Sequence, residues 1–400
     1  MRVLFLTIGP ETEPSSRFRV YQYLGALRAA GVRARVRPLA GPRYVELGYG
    51  RLRAPAAVHA FWAALHFAAR LARRLRDLWD ARHFDVVFVQ KEVFPFGMER
   101  LIGWLGLRVV YDFDDAIHVR SELREPRGRA LARLADALLR RDRALPALLR
   151  QSAVVIAGNP VLAAYARHHN AAVHVVPTAI DSEAYAKRSA SRGRRLRIGW
   201  FGAPATAVYL EPLRPALQEL ARRFDFELCV LGAERFDCPG VSVTCQPWRP
   251  YRALAEEASD LAGFDIGIMP LPDDAFAAGK CALKAIQYMA CGIPVVASPV
   301  GAAREVVVHG ENGFLADTAE AWTDGLGRLL ADASLRERLG RAGRARVVER
   351  YSVQAVFPKL LAALREAAPR AYQPPRSTSE MHRNTSQPMT HTASARPVLE

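Results

Sequence analysis

GKCALKAIQYMACGIPVVASPVGAAREVVVHGENG, residues 279–313, is the stretch of this 400-residue sequence that decides its fold. It predicts a helix carrying Lys280 and Lys284, a tight Gly-Ile-Pro turn, a buried strand PVVAS, a loop, and a short helix carrying Glu305. This order places two lysines beside the free backbone N–H groups that begin the next helix. Because cations and a helix N-terminus together suit a diphosphate, the stretch predicts half of a nucleotide-sugar site.

Outward from this stretch, short apolar strands alternate with helices along the chain. Helices are predicted over 18–30, 95–105 and 208–223, among others. Continuous apolar strands separated by helices are typical of parallel sheets covered on both faces. The predicted fold class is α/β, with two doubly wound Rossmann-like domains whose ligands lie beyond the carboxyl ends of the strands. The predicted strands read VLFLTI, VRARVRPL, DVVFVQ, LRVVYDF, AVVIAG and VHVVPT in the first half, then LRIGWFG, FELCVLG, VSVTC and FDIGIMP.

Composition marks the predicted domain boundaries. Residues 1–180 form the first domain, and the polar, basic residues 181–195 connect it to the second domain, residues 196–350. Residues 351–368 predict a C-terminal helix that packs back on the first domain. Residues 369–400 lose their apolar periodicity, which predicts a disordered tail.

Bulk properties limit the protein class. Half of the residues are hydrophobic, and the five cysteines are odd in number and form no CxxC pair. We therefore expect a reducing, cytoplasmic compartment and no disulfide framework. The sequence shows no cleavable signal pattern, and no apolar run reaches the length of a membrane span.

Positive charge is concentrated in the first half of the chain. Residues 1–180 contain 28 Lys and Arg against 15 Asp and Glu, whereas the remainder contains 28 against 25. This excess suits an acidic acceptor or an anionic membrane surface. A general preference for arginine explains much of it equally well. Because no helix-turn-helix, zinc-finger or aromatic-basic RNA pattern is visible, we expect no nucleic acid partner.

Residues 51–82 predict a helix in which large apolar residues alternate with arginines. An interfacial helix in contact with anionic lipid has this pattern, and so does a helix that covers the first domain. Both interpretations stay open. The apolar residues are Phe61, Trp62, Leu65, Leu71, Leu75, Leu78 and Trp79, and the basic ones are Arg70, Arg73, Arg74 and Arg76.

Several segments resemble group 1 transferases of glycosyltransferase family 4, which have the GT-B fold. These segments are residues 279–313, VVPTAIDSEAY at 175–185, FDIGIMPL at 264–271, and a final helix after Tyr351. The similarity covers about residues 1–367. It implies two Rossmann-like domains facing across a cleft, with the nucleotide sugar on the second domain and the acceptor on the first. It also implies retention of anomeric configuration, with no metal and no cofactor.

The motif region departs from the family at one point. The family commonly has two glutamates separated by seven residues, and here Gly279 and Gln287 occupy those positions. Gln287 still offers hydrogen bonds to a ribose hydroxyl but brings no charge. The resemblance implies that Lys280 and Lys284, predicted to lie one helical turn apart, bind the diphosphate. Two solvated lysines on a surface helix are the alternative.

Four further donor-side residues follow from the resemblance. Glu305 matches a family glutamate expected to contact donor hydroxyls, and Gly301 allows close backbone approach. A first-turn glutamate favoured by the helix dipole is the alternative for Glu305. Gly202 and Thr206 follow the first strand of the second domain; Thr206 either contacts phosphate or, the simpler role, caps a helix.

YDFDDAIH, residues 111–118, places three carboxylates directly after a predicted strand. Aligned with the family, Asp114 takes a histidine position and Asp115 an aspartate position, which makes both candidate catalytic residues. They would stabilise positive charge on the sugar or help to deprotonate the acceptor hydroxyl. Because three adjacent acids need neutralising cations, Arg17, Arg19 or Lys91 should lie nearby.

The acceptor side is predicted from two other strand ends. PSSRFRVYQYL supplies Arg17 and Arg19, with serines that suit an anion. A plain helix cap with surface arginines is the alternative. VQKEVFP supplies Lys91 and Glu92.

The sequence therefore predicts a retaining glycosyltransferase of polysaccharide biosynthesis. Its donor would be a nucleoside-diphosphate sugar, and its acceptor a glycan or a lipid carrier at the inner face of the membrane. Two alternatives remain. Asp112-Phe-Asp114 is a DxD motif, so a metal-dependent hydrolase using Asp112–Asp115 is one. A non-catalytic nucleotide-sugar-binding protein is the other, because the glutamate pair is missing.

Overall fold

The computed structural model describes residues 1–41, 56–119, 141–185, 195–249, 251, 253–369 and 371. Residues 186–194 of the predicted connection and nearly all of the predicted tail lie outside the described residues. So do the side chains of Phe61, Trp62 and Leu65 in the predicted amphipathic helix.

Two six-stranded parallel sheets organise the chain, which confirms the predicted α/β fold of two Rossmann-like units. The first sheet has the order β2-β1-β3-β4-β5-β6 and the second has the order β12-β11-β10-β7-β8-β9. We call the part built on each sheet the first lobe and the second lobe. The first sheet contains β1 (Arg2–Thr7), β2 (Arg33–Pro38), β3 (Val86–Gln90), β4 (Val109–Phe113), β5 (Val154–Ala157) and β6 (Val173–Val175). The second contains β7 (Leu196–Phe201), β8 (Phe226–Leu231), β9 (Ser242–Gln246), β10 (Ile266–Met269), β11 (Val295–Ala297) and β12 (Gly313–Leu315).

Helices connect the strands and cover the sheets. In the first lobe they are α1 (Pro14–Arg19), α2 (Leu24–Ala29), α3 (Ala56–Asp80), α4 (Arg100–Trp104), α5 (Arg141–Gln151) and α6 (Pro160–Arg167). In the second they are α7 (Arg214–Ala221), α8 (Leu254–Ala262), α9 (Ala275–Ala278), α10 (Leu283–Ala290), α11 (Ala303–Val306), α12 (Ala319–Ala331) and α13 (Ala333–Arg350), followed by α14 (Val353–Ala367). The 3₁₀ helices are Tyr21–Tyr23, Ala81–His83 and Pro204–Leu213.

The central strands are buried from end to end, as their β-branched and aromatic sequences require. All five residues of β3 and of β4 are buried. Phe5 of β1 lies opposite Phe88 of β3, with ring centroids 5.1 Å apart. Separate apolar cores cover the two faces of each sheet.

The two lobes share residues at their junction. Phe276 of α9 and Cys281 belong to a core of the first lobe, although the chain places them in the second. Helix α14 packs against β4 and β5 of the first sheet. A backbone bridge between Ile180 and Ser352 lies where the chain passes from one lobe to the other. The strand ends of the two lobes therefore lie close together at this junction.

Two of the predicted helices differ from those observed. The helix predicted over 18–30 is divided into α1, the 3₁₀ helix Tyr21–Tyr23 and α2. Helix α1 begins at Pro14, where the Glu13 side chain accepts hydrogen bonds from the backbone N–H groups of Ser15 and Ser16. The helix predicted over 208–223 is replaced by the 3₁₀ helix Pro204–Leu213 and the short α7. Within the part of the chain that the structure describes, no helix is long and apolar enough to cross a membrane.

Candidate active site

Asp112 lies in β4, and Asp114 and Asp115 directly follow the strand; the environments of the three carboxylates differ. Asp112 is fully buried and forms a two-point ion pair with Arg19, whose Nε donates to Oδ2 at 3.0 Å. Burial raises the pKa of Asp112, and the Arg19 charge opposes that rise. Arg19 also donates to the carbonyl of Val176 at 2.9 Å, so its guanidinium makes these contacts within the first lobe. The predicted acceptor-side role of Arg19 therefore has no support in its placement.

Asp114 and Asp115 share one cation, Lys91. The Lys91 Nζ lies 3.2 Å from Asp114 Oδ1 and is hydrogen-bonded to Asp115. Burial alone would raise the pKa of Asp114, but the positive charges of Lys91 and Arg19 outweigh it and hold the pKa below its usual value. Asp114 therefore stays ionised near neutral pH. Ser15 adds a hydrogen bond of 2.7 Å to Asp114 Oδ2.

Lys91 acts as a counter-ion in this structure rather than as an acceptor ligand. Its backbone has φ 52°, in the left-handed region that non-glycine residues seldom adopt. The backbone N–H of Lys91 donates to the carbonyl of Asp112 at 2.6 Å. Backbone strain of this kind is retained where the surroundings fix it, often at functional sites. The residue with this backbone conformation is thus the one whose ammonium group pairs with Asp114 and Asp115.

Two other residues predicted to contact the acceptor form buried ion pairs instead. Arg17 is 5% exposed and pairs with Glu257 of α8, across the junction between the lobes. Glu92 is 7% exposed and accepts from the Nε of Arg74 in α3 at 3.0 Å. The predictions that Arg17 and Glu92 contact an acceptor are not supported, because burial and ion pairing remove both side chains from the surface. The alternative of surface arginines on a capped helix is wrong for Arg17 for the same reason.

Lys280 and Lys284 lie together, but not as the sequence predicted. Helix α10 begins at Leu283, after Ala282 takes a left-handed backbone conformation with φ 52°. Lys280 therefore lies before the helix, and the prediction that both lysines share one helical face is wrong. The Lys280 Nζ lies 3.8 Å from Asp115 Oδ1 across the junction. Lys280 thus connects the second lobe to the acidic cluster of the first.

Lys284 is a half-buried cation with an unusual environment. Its Nζ lies 4.6 Å from the centroid of the Trp200 ring, and a Cβ added to Gly202 would lie 2.9 Å from that atom. Desolvation, and then the charge of Lys280, lowers the pKa of Lys284 to about 7. Among the described residues, no carboxylate lies within ion-pair distance of Lys284. A cation in such a place is suited to receive an anionic ligand.

The other residues predicted to contact the donor differ in how well their positions suit that role. Gly202 borders Lys284, and its contact with the donor stays a prediction. Thr206 lies inside a 3₁₀ helix and donates to the carbonyl of Ala203 at 2.8 Å, so its predicted capping role is wrong. Gly301 has φ 56°, and its close approach is to the carbonyl of Ala278, 2.6 Å from an added Cβ. The absence of a side chain at Gly301 therefore allows two segments of the second lobe to pack closely.

Gln287 is buried and donates its amide N–H to Glu257. The phenol of Tyr185 donates to the same carboxylate at 2.6 Å. This placement turns Gln287 toward the junction, and contact with a donor hydroxyl through its amide stays a prediction.

Glu305 is exposed and lines a cleft of about 470 Å³ beside the ends of β5 and β6. Asn159, Cys281 and Lys359 line the same cleft, whereas Lys280 and Lys284 do not. The structure thus brings together Gly202, Lys280 and Lys284 with Asp114 and Asp115, and it places Glu305 outside that group.

A second cleft, of about 530 Å³, follows the carboxyl ends of β10, β11 and β12. Tyr209, Asp274, Arg304 and Trp322 are among its lining residues. Burial raises the pKa of the Tyr209 phenol, and the negative charges of Asp274 and Asp115 raise it further. The cleft is therefore close to the acidic cluster. Sequence reasoning missed these residues, although the cleft lies at the carboxyl ends of parallel strands, which is a signal for a ligand site.

No group of three or more His, Cys, Asp or Glu in the described ranges is arranged to hold a metal ion. The carboxylates of the DxD motif are instead occupied by Arg19 and Lys91. This pairing does not favour the hydrolase alternative.

Comparisons with known proteins agree with this arrangement. Residues 198–332 match the family model described as glycosyl transferases group 1. The chain is 42% identical over 83 residues to a D-inositol 3-phosphate glycosyltransferase of Xylanimonas cellulosilytica, covering 20% of this chain and 19% of that protein. It is 30% identical over 209 residues to an MMP alpha-(1->4)-mannosyltransferase of Mycolicibacterium hassiacum, covering 50% and 49%.

A solved structure shares the two-lobed architecture. Anabaena Alr3699/HepE in complex with UDP superposes with a TM-score of 0.54 at 16% identity, covering 90% of this chain and 98% of that chain. The chain spans between a fifth and a half of the length of the two curated relatives. Residues 198–332 therefore belong to the glycosyl transferases group 1 family, and the chain has the GT-B fold.

Proposed function

We propose that the protein transfers a sugar from a nucleoside-diphosphate sugar to an acceptor hydroxyl. The observation that carries this proposal is Lys284, a half-buried ammonium group without a carboxylate partner among the described residues, beside Lys280 and Gly202. A diphosphate supplies the missing negative charge. The family membership of residues 198–332 supports the same reaction class.

The charges at the junction suggest how the reaction proceeds. The bond between the sugar and the diphosphate breaks as negative charge develops on the leaving phosphate. Lys284 and Lys280 stabilise that charge, which lowers the barrier. Asp114, held ionised by Lys91, and Asp115 face the same region from the first lobe. They stabilise positive charge on the sugar ring or accept the proton of the acceptor hydroxyl.

The cleft beside Tyr209 and Trp322 has room for a further part of the donor, the nucleoside or the sugar. Retention of anomeric configuration and independence from metals and cofactors belong to this proposal through the family resemblance. The anomeric coupling constant of the product, read by NMR, tests the stereochemistry.

For the acceptor, we propose a glycan or lipid-linked sugar used in polysaccharide biosynthesis at the cytoplasmic face of the membrane. Exposed apolar side chains on α3 support membrane contact: Leu75 is 42% exposed and Trp79 is 51% exposed. The Arg82 guanidinium lies over the Trp79 ring at 3.5 Å. Flotation with anionic and with zwitterionic vesicles tests this surface. Salt-sensitive binding to anionic vesicles alone supports it, and equal absence from both contradicts it.

Thermal shift against UDP-, GDP-, ADP- and dTDP-sugars identifies the donor. One nucleotide class should raise the melting temperature in the wild type and fail to do so in Lys284→Ala. A transfer assay with that donor and an acceptor pool then follows. Donor binding without turnover against any acceptor would instead indicate a nucleotide-sugar-binding protein.

A further inference from the structure

A buried ion pair joins the two lobes. Arg17 of α1 and Glu257 of α8 are separated by 240 residues in the chain and meet at hydrogen-bond distance. The Arg17 side chain is 6% exposed and that of Glu257 is 1% exposed. A buried carboxylate that loses its cation is left with an uncompensated charge, so such a pair resists separation.

Glu257 is also the acceptor for two neutral donors. The hydroxyl of Tyr185, a residue of the predicted connection between the lobes, donates to Oε1 at 2.6 Å, and the amide of Gln287 donates to the same atom. A glutamate at position 287 would place a second carboxylate against Glu257 in a buried site. The departure from the family pattern at Gln287 therefore has a local cause, namely the need for a neutral donor beside Glu257.

Helix α1 links this pair to the acidic cluster. Three of its side chains bind three carboxylates: Ser15 binds Asp114, Arg17 binds Glu257, and Arg19 binds Asp112. The same six-residue helix thus contacts the second lobe and positions two acids of the first.

The segment 275–282 of the second lobe fits against the first lobe without spare room. A Cβ on Gly279 would lie 2.5 Å from the Cβ of Ala116, and a Cβ on Gly158 would lie 2.4 Å from Cys281 Sγ. Cys281 Sγ donates to the carbonyl of Asp114 at 3.2 Å. Asn159 Nδ2 donates to the carbonyl of Lys280 at 3.1 Å. The location of Lys280 opposite Asp115 therefore depends on how closely the lobes approach.

We infer that Arg17 and Glu257 are positioning residues that hold the lobes together, with segment 275–282 against residues 114–116. By doing so they set the distance between the lysines of the second lobe and the carboxylates of the first. For catalysis this inference rests on the proposed function, but the contact itself is a property of the fold. Neither residue touches the reacting atoms.

The test is Arg17→Gln in the full chain, followed by hydrogen exchange and steady-state kinetics. Amide exchange of segment 275–282 should rise about tenfold or more, because the segment loses its buried contacts when the lobes separate. The kcat should fall by about a hundredfold, the effect of a displacement near 1 Å, with the donor KM changed less than about threefold. Small-angle scattering should show a larger radius of gyration.

Matched variants distinguish positioning from general destabilisation. Arg74→Gln removes a buried arginine whose partners, Asp77 and Glu92, lie within the first lobe, and it should leave the exchange of 275–282 unchanged. Glu257→Gln keeps the side-chain shape and should reproduce the effect of Arg17→Gln. The double variant should be no worse than either single one, because both remove the same contact.

Unchanged protection of segment 275–282 in folded Arg17→Gln and Glu257→Gln would overturn the inference. If Arg17→Gln does not fold, Glu257→Gln decides alone. If the wild type transfers no sugar, the proposed function fails while the exchange and scattering results still decide this inference.

Discussion

The acidic cluster of the first lobe and the lysine pair of the second lobe face each other, and their charges are balanced differently. In the first lobe, Asp112 is paired with Arg19, while Lys91 serves Asp114 and Asp115. In the second lobe, Lys284 has no carboxylate partner among the described residues. The acidic cluster is therefore balanced mainly by cations of its own lobe, whereas the charge of Lys284 is not balanced by a carboxylate of the described residues.

The largest expected effect tests the first side of this comparison. Asp115→Asn and Asp114→Asn, made separately, should lower kcat by about 10²–10⁴-fold, because a carboxylate that faces the sugar or takes a proton loses its charge. Steady-state transfer measures this effect. Asp225→Asn, which changes an exposed partner of Arg195, is the control and should retain full activity. Normal turnover in both cluster variants would remove their catalytic assignment.

The next prediction tests the role of Lys284 in the second lobe. Lys284→Ala should lower kcat by about 10²–10³-fold, because the developing phosphate charge loses its cation. The melting temperature should stay the same or rise, since the amine is desolvated in the fold without a partner. Lys359→Ala, on an exposed position of α14, is the matched lysine control. Near-normal activity of Lys284→Ala would contradict the diphosphate assignment.

The lowered pKa of Lys284 predicts a pH dependence of donor binding. Below pH 7 the amine is charged and attracts the diphosphate, and above its pKa of about 7 the free protein loses that charge. The donor Kd should therefore rise above pH 7, by at most about tenfold per pH unit. Calorimetric titration from pH 6 to 9 measures it. Lys284→Arg should remove the dependence, because the guanidinium stays charged.

A smaller effect is expected where the lobes touch. Gly279→Ala places a methyl group 2.5 Å from the Cβ of Ala116 and should cost about 1–3 kcal/mol in the free energy of unfolding. Urea unfolding measures it. Gly25→Ala in α2 meets nothing within 4 Å and should stabilise the protein by up to about 1 kcal/mol. A neutral Gly279→Ala would show that the lobes are farther apart in solution.

No effect at all is expected from chelation. Lys91 and Arg19 already occupy the carboxylates of Asp112–Asp115, so EDTA should leave sugar transfer unchanged. Phosphate release that requires Mg²⁺ and stops with EDTA would instead favour a hydrolase.

The sheets were predictable because their strands are continuous apolar runs such as VVFV in β3, which have few alternatives to a buried parallel sheet. The sheet edge at which a ligand is expected was predictable for the same reason, since Asp114 and Lys91 come directly after strands. Local patterns determine these features.

The partners of the site residues were not predictable in this way. Glu257 lies 240 residues from Arg17 and carries no local signal that the two meet. The position of Glu92 after a strand suggested contact with the acceptor, but its carboxylate pairs with Arg74 of α3, a partner that the sequence does not indicate. The start of α10 also depends on the left-handed backbone conformation of Ala282, which the presence of an alanine in the sequence does not predict. Tertiary packing therefore determines which charged residues form ion pairs within the protein and which can contact a ligand.

Gly279 limits how the lobes of this protein can be exchanged with those of similar proteins. A second lobe transplanted from a protein with a glutamate at this place would bring a long acidic side chain against Ala116 of the first lobe. Hybrids joined between the lobes should therefore need a matching change on the opposite surface. The shapes of the two lobes are thus coupled at this contact.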